Sequence, residues 1–442
     1  MKVKHLLGMA AVALMAAACS NDLNDVLAPE APQKGIPFVA TIAPKTFDAT
    51  TRALTLETDD DGKNYLKAEW KVDEEIMLTY IANDETIQTI ASVVAVSSED
   101  GSATIKANLV AGVADGATVQ LVYPASSATP SGNYGDPPTV NYGYVINDLD
   151  IRYATSTINV KDEVATLVGG ISLNPQYAIV RFIIKNLAGD EVAMKKLVVK
   201  RGDSSSYSYE VSESAAGQVN FFVALPSITD EELWFEALDS DGNPYIAKGI
   251  ANLMAGMFYE TDLKMATVGD VILADGKFAA PKTEGAEAMI AYLGTEAEDA
   301  PHGLAIALKD ASSSNVTWDN SGDNNDDKTA AELVAAWASS NEVTGGTWRL
   351  PSADDWKYMF QGCGGDAYTE ELTDDMEFSH GDFRTKLKAA GGDSADVRSS
   401  CYWSATEYDF NSNCAWYYYF LDGRFWWSYK ESNGYIRAAL AF

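Results

Sequence analysis

The stretch Trp348-Arg349-Leu350-Pro351-Ser352-Ala353-Asp354-Asp355-Trp356 is the anchor for reading this chain. Pro351 suits the first turn of a helix, with Ser352 and Asp354 near its start. Residues 352–360 are therefore expected to form a short helix. Downstream the aromatics crowd together: Tyr402-Trp403-Ser404-Ala405-Thr406-Glu407-Tyr408, then 415–421, 424–429 and Tyr435-Ile436-Arg437. The last three runs alternate and are rich in Tyr, Trp and Phe, which marks strands. Trp416, Tyr418 and Phe420 fall on one face of such a strand, and Tyr417, Tyr419 and Leu421 on the other. Leu421-Asp422-Gly423-Arg424 reads as a hairpin turn centred on Asp-Gly, and Asn433-Gly434 marks the next turn. A helix followed by an antiparallel meander of three strands is expected.

Upstream, short β-branched runs at 37–42, 54–58, 66–81, 92–97, 103–109 and 118–123 are separated by Asp/Gly turns, as in an antiparallel sandwich or barrel. A Pro/Gly/Ser/Asn-rich loop spans 126–144. A second small β domain begins near 150–170, with strands expected at 177–185, 197–200, 219–224 and 233–238, and a closing stretch at 253–263. The expected fold class is mainly β: two antiparallel sandwich or barrel domains, then an α+β domain. The expected divisions are 1–18 as a leader, 19–35 as a tether, then 36–160, 161–265 and 266–442.

The formal net charge of −32 argues against a nucleic-acid partner, which needs clustered cations. Lys2 and Lys4 precede an apolar run from Leu6 to Ala18 that is too short to span a bilayer and reads as a secretory signal. After Cys19 the remaining cysteines are Cys363, Cys401 and Cys414, and an odd number leaves at least one thiol unpaired within the chain.

Four resemblances bear on this reading. Ala16-Ala17-Ala18-Cys19 resembles a lipobox, with Ala16 where leucine is usual. It implies lipid attachment at Cys19, and Asp22 resembles a signal for sorting to the outer surface. Over 36–265, Thr51-Arg52-Ala53, Trp70-Lys71-Val72-Asp73 with Ile76, Tyr123-Pro124, the strand at 177–184 and Ala255-Gly256 with Tyr259 resemble the fimbrillins, subunits of type V pili. That resemblance implies cleavage at Arg52-Ala53 by an arginine-specific protease, loss of the strand at 37–42, and its replacement by a strand from another pilus subunit. Over 266–442, Val268-Gly269-Asp270, the run 302–310, Trp348 to Pro351, Tyr402 to Ser404, Ala415 to Tyr417 and Tyr435 to Arg437 resemble the C-type-lectin-like paralogous domains of bacterial surface lipoproteins. The same motifs also resemble the formylglycine-generating enzymes. The residues around Cys401 and Cys414 do not match that enzyme's reactive pair, however, and no catalytic residues are expected.

The candidate ligand-binding residues are Arg424, Trp426, Trp427, Tyr417 and Tyr419. Trp426 and Trp427 are adjacent on a strand and point to opposite faces, with one of them exposed, and Arg424 shares the face of Trp426. No cofactor is expected. Calcium is the alternative, on the oxygen-rich loop 318–327, with Asp319, Asp323, Asp326 and Asp327 as candidate ligands. Asp326 or Asp327 equally suits the cap of a helix at 329–338. His302 reads as structural. The expected function is that of an outer-membrane, cell-surface lipoprotein that becomes the tip or an accessory subunit of a fimbrium. It would bind a host or microbial glycan or protein through 266–442, with outer-membrane lipid as its partner through Cys19 until cleavage. The alternative is a permanently lipid-anchored glycan- or protein-binding protein that never polymerises.

Overall fold

A computed structural model describes residues 35–45, 55–58, 62–135, 149–201, 206–210, 217–321, 327–392 and 401–442. The chain is mainly β, as its patterning implies. The first sheet has eight strands, in the order Asn174–Pro175, Arg152–Lys161, Thr118–Tyr123, Glu75–Ala82, Glu85–Val96, Ala103–Leu109, Ile36–Ile42 and Val164–Leu167. Arg152–Lys161 also pairs with Val164–Leu167, which closes the sheet into a barrel. Period-two alternation fills the barrel: Phe38, Ala40 and Ile42 point inward from the first strand and meet Ile76, Leu78, Ile105 and Leu121. Residue 160, where the sequence reading ended its first domain, lies inside the strand Arg152–Lys161, and the sheet continues to Pro175.

The run expected as one strand at 66–81 is two. Asn64–Lys67 pairs with Thr55–Thr58 as a separate hairpin. Asp73, in the left-handed region at φ 73°, then turns the chain into Glu75–Ala82. Leu66 and Ala68 from this part join Tyr177, Ile179 and Ala224 in a cluster at the seam with the second sheet.

The second sheet runs Ser206–Glu210, Met194–Arg201, Ile228–Asp239, Pro244–Leu253, Phe258–Thr267, Ala178–Asn186 and Asn220–Leu225. Pro244–Leu253 was not anticipated from sequence. In each of these two sheets one long-range pair runs parallel within otherwise antiparallel order: Ile36–Ile42 with Val164–Leu167, and Ala178–Asn186 with Phe258–Thr267.

The third part has a six-stranded sheet, in the order Phe278–Ala279, Val271–Leu273, Ala286–Leu293, Gly303–Ala307, Ala439–Ala441 and Thr347–Arg349. Three helices accompany it: α1 (Ala330–Ala338), α2 (Ala353–Gly362) and α3 (Phe383–Ala390). Ser352 caps α2, its hydroxyl accepting from the Asp355 amide while the Asp355 carboxylate accepts from the Ser352 amide. Trp356, Met359 and Phe360 recur at helical spacing and are fully buried against the sheet. At the end of α2 a Cβ on Gly362 would lie 2.2 Å from the Ala291 carbonyl oxygen, so only glycine lets helix and sheet approach this closely. The cap of α1 is Thr329, paired with Glu332 in a capping box, so Asp327 does not serve there; Asp326 lies outside the described residues.

The aromatic runs form a four-stranded sheet, Met376–Glu377, Arg424–Tyr429, Cys414–Tyr419 and Cys401–Glu407. The three-strand meander is present, but its first strand is Cys401–Glu407, and Tyr435-Ile436-Arg437 contributes only a bridge from Tyr435 to Tyr402. Asp422-Gly423 is not the centre of a two-residue turn. Tyr419 pairs with Arg424, so the loop holds four residues, and only Gly423 in it has a positive φ. Asn433-Gly434 is a two-residue strand paired with Val316–Thr317 instead of a turn.

Candidate functional site on the aromatic sheet

The four-stranded sheet has two unlike faces. Tyr402, Trp416, Tyr418 and Phe425 enter the main core of the third part. The opposite face is set by register: Trp403 stands across from Tyr417, Tyr417 from Trp426, and Tyr419 from Arg424. At one end this face is covered. Trp403 is fully buried, donates from its indole to the Val316 carbonyl at 3.1 Å, and meets the Tyr417 ring edge-on. At the other end it opens, and Trp426 is 41% exposed.

Four of the five expected ligand-binding residues, Tyr417, Tyr419, Arg424 and Trp426, therefore share one face. Trp427 lies on the other. It packs against the core beside the fully buried Cys414 and stacks on Tyr408 with ring centres 4.9 Å apart. Burial pushes the Tyr417 hydroxyl up to about 12, so that ring is a neutral hydrogen-bonding group at physiological pH. Arg424 is held by two carboxylates, Asp375 at 2.6 Å and Glu377, and the pair keeps it firmly charged. An exposed indole beside an anchored guanidinium and two phenols is a surface that stacks on flat apolar groups and hydrogen-bonds at its rim.

Sequence reasoning missed Phe410, which is 86% exposed and lies 5.5 Å from the Tyr408 ring. Its signal is a phenylalanine in the polar turn Asp409-Phe410-Asn411-Ser412-Asn413, where a core position is unavailable. Tyr429, also exposed, ends the strand that carries Trp426 and Trp427.

Cys19, Arg52, Ala53, Asp323 and Asp326 lie outside the described residues. Of the remaining loop acids, Asp319 accepts from the Ser321 amide at 3.1 Å and Asp327 adopts a positive φ. Among the described residues no three His, Cys, Asp or Glu side chains gather as a metal-ligand set, and no helix is long and apolar enough to cross a membrane. Cys363, Cys401 and Cys414 are unbonded thiols. His302 stacks on Trp234 at 3.6 Å with its Nδ1 3.6 Å from Glu236, which ties the third part to the second sheet. His380 sits among Phe360, Phe420 and Tyr418, its Nδ1 2.9 Å from the Gly381 carbonyl.

No family description matches the chain, and no curated protein sequence does. Among solved structures it is similar to a fimbrial protein from Bacteroides ovatus, with 11% identity over 93% of this chain and 100% of the other and a TM-score of 0.25. It is also similar to a fimbrial assembly protein from Parabacteroides distasonis, with 12% identity over 52% of this chain and 90% of the other and a TM-score of 0.29. A third is the C-terminally truncated tip fimbrial protein Mfa3 from Porphyromonas gingivalis, with 10% identity over 49% and 82% and a TM-score of 0.23.

Proposed function

We propose that this chain is a surface-fibre subunit that exchanges its first strand for one from a neighbouring subunit and presents residues 266–442 as an adhesive domain. The observation that carries the reading is the way Ile36–Ile42 is held. It supplies three buried side chains to the barrel, Phe38, Ala40 and Ile42, and pairs with Ala103–Leu109 through seven residues. On its other side it meets Val164–Leu167 at a single position, Phe38 to Ala165, and Ile171 at Ile42. A cut at Arg52-Ala53 would separate this strand covalently from the rest of the barrel. Its departure would leave apolar slots beside an unpaired strand edge, a site suited to strand addition.

The strand Ala439–Ala441 supports a terminal position. It is hydrogen-bonded on both sides, to Gly303–Ala307 and to Thr347–Arg349, so giving it to a neighbour would open the six-stranded sheet. Cys19, by its lipobox resemblance, would hold the uncut protein to the outer membrane. The aromatic face at Trp426 is the proposed contact with a glycan or protein ligand.

N-terminal sequencing of the mature surface form tests the reading. A start at Ala53, together with loss of Arg52→Ala protein from sheared fibres, is expected. A mature form that keeps a lipidated Cys19, or an Arg52→Ala variant that still enters fibres, would replace strand exchange with a permanently anchored binding protein. A Cys19→Ser variant should no longer incorporate labelled fatty acid; persistent labelling would remove the lipid assignment.

A further inference from the structure

Beyond Ile42 the first segment stays engaged with the barrel. The Ala43 amide donates to the Ile171 carbonyl at 2.6 Å, and the Trp70 indole donates to the Ala43 carbonyl at 2.8 Å. Two residues on, Lys45 sinks its side chain into the protein until it is 2% exposed. Its ammonium lies 3.7 Å from the centre of the Tyr123 ring and 4.3 Å from that of Trp70, two rings set edge to face. It donates to both Glu74 oxygens, at 3.0 and 3.1 Å, and stands 3.9 Å from the Asp150 carboxylate. Tyr123 completes the frame by donating to Glu74 at 2.7 Å. This is a socket for one cation, with aromatic faces on its walls and carboxylates at its base.

The ownership of the parts is uneven. Trp70, Glu74, Tyr123 and Asp150 all lie on the portion of chain that would remain after a cut in 46–54, whereas the cation lies on the portion that would leave. The charged groups acting on Lys45 are the Glu74 and Asp150 carboxylates and the Arg152 guanidinium, which binds Asp150 at 2.7 Å. Burial lowers the Lys45 pKa, and the two carboxylates oppose that shift. Without Lys45, Glu74 would keep its hydrogen bonds from the Tyr123 hydroxyl and the Lys71 amide but lose its counter-ion, and Asp150 would keep Arg152 alone, in a site where Glu74 is only 16% exposed. A mostly buried carboxylate that loses its counter-ion is unfavourable, so the vacated groove is completed best by a strand that brings a cation back.

Resting on the strand-exchange reading, we propose that the Lys45 socket selects the incoming strand: its occupant carries a lysine or arginine three residues beyond the last side chain it buries in the barrel. The strand runs in the direction of the one it replaces. Its recognition pattern copies Phe38, Ala40, Ile42 and Lys45: a large apolar residue, a small one and an aliphatic one at alternate positions, then two residues and a cation. The apolar slots alone accept many β-strands; the socket adds a charge requirement that rejects strands lacking the cation.

The test uses the full chain with a sequence-specific protease site placed in the 46–54 connection. After cutting, two labelled peptides are added together in excess: Ile36 to Lys45, and the same peptide with Lys45→Met, which keeps the length and removes the charge. Incorporation of the lysine peptide over the methionine peptide by about 100-fold is expected, as follows from breaking a buried ion pair of about 3 kcal/mol. In Glu74→Gln protein the preference should shrink toward unity. Equal incorporation of both peptides overturns the socket while leaving strand exchange intact. Incorporation of neither overturns strand exchange itself and the socket with it.

Discussion

Arg437 donates from Nε to Asp310 at 2.6 Å, across 127 residues of sequence, and the Tyr402 hydroxyl reaches the same carboxylate at 3.1 Å. The Arg437 side chain is almost wholly buried. This contact fastens the opening of the third part to its close. Arg437→Leu should cost roughly 3–5 kcal/mol, because it leaves a carboxylate in a site with little water. Replacing Asp310 and Arg437 together by leucine should cost less than the single change. Denaturant unfolding of the three variants checks this, and a double variant weaker than the single one would contradict it.

Trp426 and Trp427 should separate stability from binding. Trp427 stacks on Tyr408 and lines the core, so Trp427→Ala should cost about 3–5 kcal/mol at most. Trp426 is exposed on the open face, and Trp426→Ala should leave the melting temperature nearly unchanged while weakening retention on whichever glycan or matrix protein captures the intact chain on an array. Normal retention of Trp426→Ala would move the ligand site off this face, with the oxygen-rich loop at 318–327 the next place to look.

Arg349 grips Asp355 with two nitrogens, at 3.0 and 2.7 Å, and reaches the Glu298 carbonyl at 2.7 Å. Lysine keeps the charge but cannot reproduce that fork. Arg349→Lys should destabilise the protein by roughly 1.5–3 kcal/mol, the scale of lost hydrogen bonds to a charged group. A melting curve superposable on that of the unchanged protein would count against the motif as the brace of α2.

Burial pushes the Cys363 thiol up to about 12, and its sulfur faces the Ala291 carbonyl. The folded state then binds its proton more tightly than the unfolded state does. The stability this contributes is fully present below the ordinary thiol range and is lost as pH rises through about 12. At pH 8 native protein should be alkylated at Cys401, the one partly exposed thiol among the described residues, well before Cys363. Mass-spectrometric mapping of an iodoacetamide time course reads the order directly, and early labelling of Cys363 would refute it.

Much of this fold is legible in local chemistry. The strands Ala103–Leu109 and Thr118–Tyr123 fall where alternation and turn residues put them, and α2 begins just after Ser352, which caps it, while Pro351 precedes the cap instead of sitting in the first helical turn. What stays hidden is non-local. Nothing near Phe38 reveals that its strand lies beside Ala165, or that Arg152–Lys161 closes a barrel. Tyr435 to Arg437 reads as a strand because it is apolar and aromatic, yet its job is to deliver Arg437 to Asp310. The aromatic face was half visible: period two separates Trp426 from Trp427, but which of them is covered depends on Tyr408, a residue from another strand's end. Lys45 gave no sign at all, since a lysine in a Pro/Thr-rich connection looks solvated until Trp70, Glu74 and Tyr123 converge on it.

The parallel pair in the second sheet bears on how the molecule responds to load. Ala178–Asn186 and Phe258–Thr267 are in register through eight residue pairs, from Ile179 with Phe258 to Asn186 with Met265. Arg181 to Glu260 and Lys185 to Asp262, each at 2.6 Å, lace the same two strands. Ala178–Asn186 is entered from the barrel side and Phe258–Thr267 leaves toward the third part. Tension between the two ends of the chain therefore pulls these neighbours in opposite directions along their length. Their hydrogen bonds must shear together instead of peeling one by one, so under traction this strand pair resists as a single clasp.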